Sequence, residues 1–175
     1  MKLIFSVLLL IFSSAMYAQP ASSDVIMDAA KNEAAASGKN IFVIFHASWC
    51  IWCHRMDSAM NEAALKPLFD KNYVIKHLTV LESPQKKSLE NPGAEAMLEK
   101  YHGKDGGIPF WLIFDKDGNL LADSRAPHAD GSKSNVGCPA TEQEVEYFAG
   151  VLKETSSLNS EQIASIKERF RKFDH

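Results

Sequence analysis

The sequence has only three cysteines in 175 residues, at positions Cys50, Cys53 and Cys138. A small domain that is held together by disulfide bonds normally carries a larger, even number of cysteines at scattered positions. Here two of the three cysteines are separated by two residues, and the third stands alone. This pattern argues against a disulfide scaffold and indicates that the close pair takes part in chemistry.

The sequence also lacks a basic cluster, a second long apolar run and an internal repeat. Its 19 lysines and arginines are interspersed with 22 acidic residues, and the net charge is −3. Because a nucleic-acid-binding protein needs a concentrated basic face, we expect no nucleic-acid partner. After the first apolar run, no segment is apolar enough to cross a bilayer, so we expect no membrane span in the mature chain.

The single long apolar run lies at the N-terminus. Lys2 precedes the nearly unbroken apolar residues 3–12, and small residues then lead to Ala18. The run is far shorter than the ~20 residues of a membrane-spanning helix, and its order of charge, apolar run and small residues is typical of a secretory signal peptide. We predict a signal peptide over residues 1–18, one domain over residues 19–175, and a periplasmic or secreted protein.

The rest of the chain alternates between strand and helix patterns. Continuous apolar residues from Ile41 to Ala47 indicate a strand that is buried on both faces. Further strands are predicted at Tyr73 to Leu81, Phe110 to Phe114 and Leu120 to Asp123, with the Asp117-Gly118 turn between the last two. A long polar loop is expected from Arg125 to Pro139.

Helices are predicted between and after these strands. They are expected from Ser22 or Ser23 to Ser37, from about Cys50 through Met60, from the cap and proline of Asn91-Pro92 to Gly103, from the capping box of Thr141 and Glu144, and along a last apolar face of Ile163, Ile166, Phe170 and Phe173. A parallel strand pair with crossover helices, followed by a hairpin, predicts an α/β sandwich.

The close cysteine pair stands where a buried strand passes into a helix. The first thiol therefore faces free backbone N–H groups and the positive end of the helix dipole, which favours its thiolate. The second cysteine, Cys53, lies one turn inside the helix, within bonding distance of Cys50. One sulfur can attack a substrate disulfide, and the other can resolve the mixed disulfide that results.

Other uses of this motif remain open at this point. A plain structural disulfide or half of a zinc site is disfavoured, because zinc needs four ligands and no second C-x-x-C is present. The run from Cys50 to His54 is also C-x-x-C-H, the pattern of c-type haem attachment. Haem attachment usually occurs in small helical domains, whereas here an apolar strand leads into the motif. A c-type haem electron carrier and a non-catalytic binding module are retained as alternatives.

Two separate segments resemble the thioredoxin superfamily. Residues 42–53 read FVIFHASWCIWC and resemble the family's active-site strand and motif. Residues 100–114 resemble the approach to the family's cis-proline and the strand after it. The pattern W-C-x-x-C-H is similar to secreted thioredoxin-related proteins and to soluble domains of disulfide interchange proteins. The resemblance implies a thioredoxin-like three-layer sandwich, with a central mixed sheet, flanking helices and an additional C-terminal helix.

The resemblance also implies roles for individual residues. Cys50 would be the nucleophile and Cys53 the resolving thiol of a thiol–disulfide oxidoreductase. Pro109 would be cis and lie against the pair, the backbone of Ile108 would pair with an extended substrate, and Trp49 would shield the sulfurs. No metal or bound cofactor is expected. The expected partners are protein thiols and disulfides, together with a membrane or soluble redox partner.

The sequence departs from the thioredoxin pattern at one chemically important position. Ile44 stands where thioredoxins place an acid that helps to move the proton of the resolving thiol. Either His46, Asp57 or a water substitutes for this acid, or the mixed disulfide is resolved more slowly. His54 could tune the charge of the thiolate. Ile51 and Trp52, between the cysteines, offer no charge to stabilise a thiolate, which favours a reductase or an isomerase.

Overall fold

The computed structural model describes residues 19–174. The predicted signal peptide, residues 1–18, lies outside the described residues. In chain order the elements are α1 (Ser23–Ser37), β1 (Asn40–His46), α2 (Ile51–Met60), α3 (Lys66–Asn72), β2 (Tyr73–Thr79), a 3₁₀ helix (Pro84–Leu89), α4 (Ala94–Lys100), β3 (Phe110–Phe114), β4 (Leu120–Asp123), β5 (Arg125–Pro127), β6 (Lys133–Asn135), α5 (Glu142–Thr155) and α6 (Ser160–Arg171).

A four-stranded mixed sheet with the order β2-β1-β3-β4 lies at the centre. β1 runs parallel to β2, with Asn40 opposite Tyr73, and antiparallel to β3, with Phe45 opposite Phe110. The central strands β1 and β3 are buried almost throughout, which explains why both are written as continuous apolar runs. This register brings the end of β1 beside the start of β3.

Helices cover both faces of the sheet. One face packs Phe42, Ile44 and Trp111 against residues of α2, α5 and α6. The other face packs Ile41, Val43 and other β1 and β3 residues against α1 and α4. The predicted three-layer sandwich with a mixed sheet and an extra C-terminal helix is therefore confirmed.

Two of the predicted helix boundaries are confirmed by their caps. Ser22 caps α1, and Gly38 ends it in the left-handed conformation with φ +67°, which glycine adopts without a steric penalty. Thr141 and Glu144 form the reciprocal capping box at the start of α5.

The prediction that Asn91-Pro92 begins a helix is wrong. α4 begins at Ala94 after Gly93, whose φ is +84°. The Asn91 side chain instead accepts from the backbone N–H of Thr79 at 2.7 Å and donates to the carbonyl of Ala21 at 2.9 Å. Asn91 therefore joins the end of β2 to the segment before α1, and no side chain caps α4.

Other boundaries also differ from the predictions. β2 ends at Thr79 rather than Leu81, α4 ends at Lys100 rather than Gly103, and Phe173 lies beyond the end of α6. The short helix α3 was not predicted. The predicted loop from Arg125 to Pro139 contains the hairpin of β5 and β6, because strands of three residues are too short to show an apolar alternation.

The last helix is attached to the body of the protein through an aromatic cluster. Phe170 is fully buried, and its ring centroid lies 5.2 Å from that of Phe148 on α5. Phe148 in turn packs 5.5 Å from Trp111 of β3. α6 is therefore part of the main core rather than an appendage.

We expect Phe170→Ala to lower the free energy of unfolding by about 3–5 kcal/mol, because it opens a cavity among aromatic rings. Phe173→Ala is the matched control, since Phe173 is only partly buried, and it should cost clearly less. Urea unfolding followed by tryptophan fluorescence measures both variants. Equal losses would show that α6 is not anchored through Phe170.

Candidate active site

The cysteine pair lies at the N-terminus of α2, directly after the β1 strand. Cys50 is the N-cap residue, and its Sγ accepts from the backbone N–H of Cys53 at 3.1 Å. The two cysteines form a disulfide, with their Cα atoms 5.3 Å apart. Only 3% of Cys50 and 1% of Cys53 is exposed. The sulfur of Cys50 therefore occupies the site where a helix N-terminus stabilises negative charge.

The segment before β3 lies against this sulfur. The Ile108–Pro109 peptide bond is cis, as the resemblance implies, and the Ile108 carbonyl oxygen is 3.5 Å from Cys50 Sγ. Ile108 also packs against the small cluster of Ala47, Cys50 and Cys53. The two segments picked out in the sequence, nearly 60 residues apart, therefore meet in one place.

Apolar side chains project around the cysteine pair. Trp49 is 58% exposed, Ile51 62% and Trp52 39%. The Trp49 indole donates to the carbonyl of Leu81 at 2.8 Å, so its ring is held by the segment after β2. Three exposed apolar residues therefore directly flank the two cysteines in the chain.

A carboxylate that sequence reasoning missed holds the loop before Cys50. Glu82 is 4% exposed and accepts from both the backbone N–H and the hydroxyl of Ser48. Burial opposes its ionisation, but these hydrogen bonds and the charge of Lys86 outweigh burial and lower the pKa of Glu82. Nothing in the local sequence marks Glu82, because its partner lies 34 residues earlier.

Ile44 occupies the position where thioredoxins have an acid, so this position carries no charge. Two histidines and an aspartate lie nearby. Ile44 is buried and pairs across the sheet with His77. His77 Nε2 lies 2.7 Å from Asp57 Oδ1, and the rings of His77 and His46 are 5.2 Å apart. Asp57 is one turn after Cys53 on α2, and therefore on the same side of the helix.

Burial and the neighbouring His77 lower the pKa of His46 below its ordinary value of 6.5. The charge of His54 acts in the same direction, whereas those of Asp57 and Glu82 oppose it. The Nε2 atom of His46 lies 3.2 Å from the Thr79 hydroxyl. The lowered pKa favours the neutral form of the His46 imidazole.

His54 and the third cysteine, Cys138, are placed differently. His54 is exposed, and its Nε2 lies 3.0 Å from the carbonyl of Ser48, so it braces the loop before Cys50. Cys138 is buried, and burial raises the pKa of its thiol to about 12. A thiol of this kind stays protonated and is a poor nucleophile.

A cleft of about 590 Å³ opens beside Ile108 and Pro109. α2 contributes Trp52 and Arg55, with the Arg55 guanidinium 4.4 Å from the centre of the indole ring. Asn135, at the end of β6, and four residues after it also line the cleft: Val136, Gly137, Cys138 and Ala140. Over residues 19–174, no group of three or more His, Cys, Asp or Glu side chains is placed to hold a metal ion.

A family described as thioredoxin-like matches residues 24–116, which is more than half of the chain. The chain belongs to the thioredoxin-like family. The match includes both cysteines, Ile108 and Pro109, and it ends shortly after β3, so the hairpin, α5 and α6 of this thioredoxin-like protein lie beyond it. No sequence among curated proteins matches the chain significantly.

Solved structures also resemble the chain, at low sequence identity. A disulphide isomerase from Xylella fastidiosa is 15% identical, with 93% of this chain and 99% of that chain covered and a TM-score of 0.52. The oxidised C-terminal domain of DsbD from Neisseria meningitidis is 18% identical, with 76% and 98% covered and a TM-score of 0.44. In the described part of the thioredoxin-like protein, no helix is long and apolar enough to cross a membrane.

The helix start predicts which sulfur reacts. In the reduced protein at pH 7, Cys50 should be alkylated by iodoacetamide at least about tenfold faster than Cys53 or Cys138, because only Cys50 meets the N-terminus of α2. Mass spectrometry of quenched samples measures the three rates. If Cys53 reacts first, the two cysteines have the reverse roles.

The low pKa of His46 predicts a loss of stability in acid. The unfolded chain, with a histidine pKa of 6.5, binds a proton before the folded protein does, so stability should fall as the pH drops below about 6.5. Urea unfolding at pH 7.5 and pH 5.5 should show a smaller decrease for His46→Gln than for the wild type. An equal decrease in both proteins would contradict this assignment.

Proposed function

We propose that this thioredoxin-like protein is an extracytoplasmic thiol–disulfide oxidoreductase that acts on protein substrates through Cys50 and Cys53. One observation carries the proposal: the Cys50 sulfur lies at the start of α2, bonded to Cys53, and 3.5 Å from the backbone of Ile108. A purely structural disulfide needs neither the helix terminus nor a backbone segment open to another chain. The predicted signal peptide supports a location outside the cytoplasm.

The reaction needs only the two sulfurs and a proton acceptor. In the reduced enzyme, the Cys50 thiolate attacks one sulfur of a substrate disulfide, and the other substrate sulfur leaves as a thiolate that takes a proton. The Cys53 thiol then loses its proton and attacks Cys50, which releases the second substrate thiol. The substrate gains two electrons and the enzyme becomes the disulfide seen in the structure.

The Cys53 thiol needs a group that accepts its proton, and the apolar side chain of Ile44 cannot be that group. Asp57 lies one turn beyond Cys53 on the same side of α2 and is hydrogen-bonded to His77. We assign proton removal to this carboxylate, directly or through a water. We assign a tuning role to His46, whose lowered pKa favours its uncharged form beside Asp57 and His77. His54 is assigned the bracing of the loop that carries Cys50.

The surface around the pair supports a protein as the substrate. Trp49, Ile51 and Trp52 are exposed beside sulfurs that are themselves almost covered. An extended segment can lie along Ile108 by strand addition, with its apolar side chains on these residues. A separate membrane or soluble redox partner would reset the cysteine pair after each turnover.

The direction of exchange follows from the thiolate's environment. Thioredoxin and the strongest oxidants differ by roughly 150 mV, and that difference depends on how well the reduced thiolate is stabilised. Ile51 and Trp52 add no charge between the cysteines, and Arg55 stacks on Trp52. We therefore propose a reductase or an isomerase rather than an oxidase.

Trapping of mixed disulfides tests this proposal. The variant Cys53→Ala should accumulate substrates bound covalently through Cys50, because nothing remains to resolve them. The double variant Cys50→Ala, Cys53→Ala is the matched control and should trap nothing. Non-reducing gels of an extracytoplasmic extract, followed by mass spectrometry, show the adducts.

The two alternative functions predict different results. Wild-type protein that carries covalent haem would overturn the proposal, since thioether bonds consume both sulfurs. Equal, empty lanes for Cys53→Ala and the double variant would indicate a binding module without catalysis.

A further inference from the structure

One side chain outside the matched family region reaches into the segment that faces Cys50. Asn135 is the last residue of β6, and its Nδ2 lies 3.1 Å from the carbonyl oxygen of Gly106, 2.9 Å from that of Gly107 and 3.0 Å from that of Pro109. Its Oδ1 accepts from the backbone N–H of Gly137 at 3.1 Å. A single amide therefore joins the hairpin to residues 106–109.

The two segments approach so closely that a side chain at either of two glycines would be crowded. A Cβ atom at Gly106 would lie 3.1 Å from the Cβ of Asn135, and one at Gly137 would lie 3.3 Å from the Pro109 carbonyl oxygen. Gly137 also has a φ of +61°. A side chain at either glycine would therefore disturb the contact between the hairpin and residues 106–109.

The carbonyl groups of this segment are divided between two partners. Those of Gly106, Gly107 and Pro109 point to Asn135, while that of Ile108 faces Cys50 Sγ at 3.5 Å. Because Asn135 Nδ2 carries only two hydrogens, the three acceptors share them, and the amide fixes the segment as a unit. The Ile108 backbone is then the part left to meet a substrate.

The hairpin that carries Asn135 is itself firmly held. The Trp111 indole donates to the Gly137 carbonyl at 2.9 Å. The backbone N–H of Val136 donates to the backbone carbonyl of Ser124 at 2.8 Å. Arg125, at the start of β5, pairs with Asp123 at 2.6 Å. Through Asn135, residues 106–109 are therefore attached to a hairpin that is itself fixed to the core.

We propose that Asn135 is a positioning residue, which holds the backbone of Ile108 in register with Cys50 so that an extended protein substrate can pair with it. This inference rests on the proposed function, and it adds a determinant from the part of the chain beyond the family match. It requires that Asn135 matter for substrates that pair with the backbone and not for small disulfides, which need only the sulfur.

The test compares two disulfides in the reduced full-length mature protein. For Asn135→Ala, the rate constant for reduction of the disulfides of insulin should fall about tenfold, equivalent to about 1.4 kcal/mol, in keeping with the loss of one or two net hydrogen bonds. The rate constant with the small aromatic disulfide 5,5′-dithiobis(2-nitrobenzoic acid) should stay as in the wild type.

Two further variants separate positioning from hairpin stability. Asn135→Asp keeps the acceptor for the Gly137 N–H but removes the amide donor and places a carboxylate among three carbonyl groups, so it should be at least as slow with insulin as Asn135→Ala. Ser134→Ala removes a different hairpin contact, the 2.7 Å hydrogen bond with His128. It should leave the ratio of the two rate constants unchanged.

The outcomes distinguish this inference from the proposed function. If the wild type reduces neither disulfide, the proposed function fails. If the wild type is active and the Asn135 variants keep its ratio of rate constants, or lose both rates equally, Asn135 does not position the substrate. A normal insulin rate in Asn135→Asp would also overturn the inference.

Discussion

The arrangement of the site depends on the pairing of β1 with β3. Phe45, near the end of β1, lies opposite Phe110, at the start of β3, because the two strands are antiparallel and both are buried on their two faces. The residues that follow β1 and those that precede β3 must therefore lie together at one edge of the sheet. Cys50 follows β1 and Ile108 precedes β3, so the pairing of two apolar strands creates the contact between the sulfur and the backbone.

The features that the sequence predicts correctly are those that depend on residues close together in the chain. The apolar runs of β1 and β3, the cysteine spacing and the capping box of α5 each lie within a short window, and the structure has all of them. The W-C-x-x-C-H motif and the segment before Pro109 resembled one family in the correct order, which was enough to predict the mixed sheet and the meeting of the two segments.

The parts that could not be predicted depend on partners that are distant along the chain. Glu82 acts through Ser48, and Asn91 through Thr79 and Ala21. A carboxylate or an amide looks the same in the sequence whether it is solvated or bonded to a distant backbone. Asn91 shows how this leads to error: followed by proline, it has the local pattern of a helix cap, but its side chain is committed to the end of β2. The hairpin of β5 and β6 was missed because its strands are short and polar.

Burial determines the reactivity of Cys138, the cysteine outside the close pair. Cys138 lies in the wall of the cleft beside Ile108 and Pro109. Because burial raises the pKa of this thiol to about 12, very little of the protein carries the Cys138 thiolate at neutral pH. Attack on a nearby disulfide scales with that population. The third thiol is therefore kept unreactive by its burial, because the surroundings that exclude water from Cys138 disfavour its thiolate.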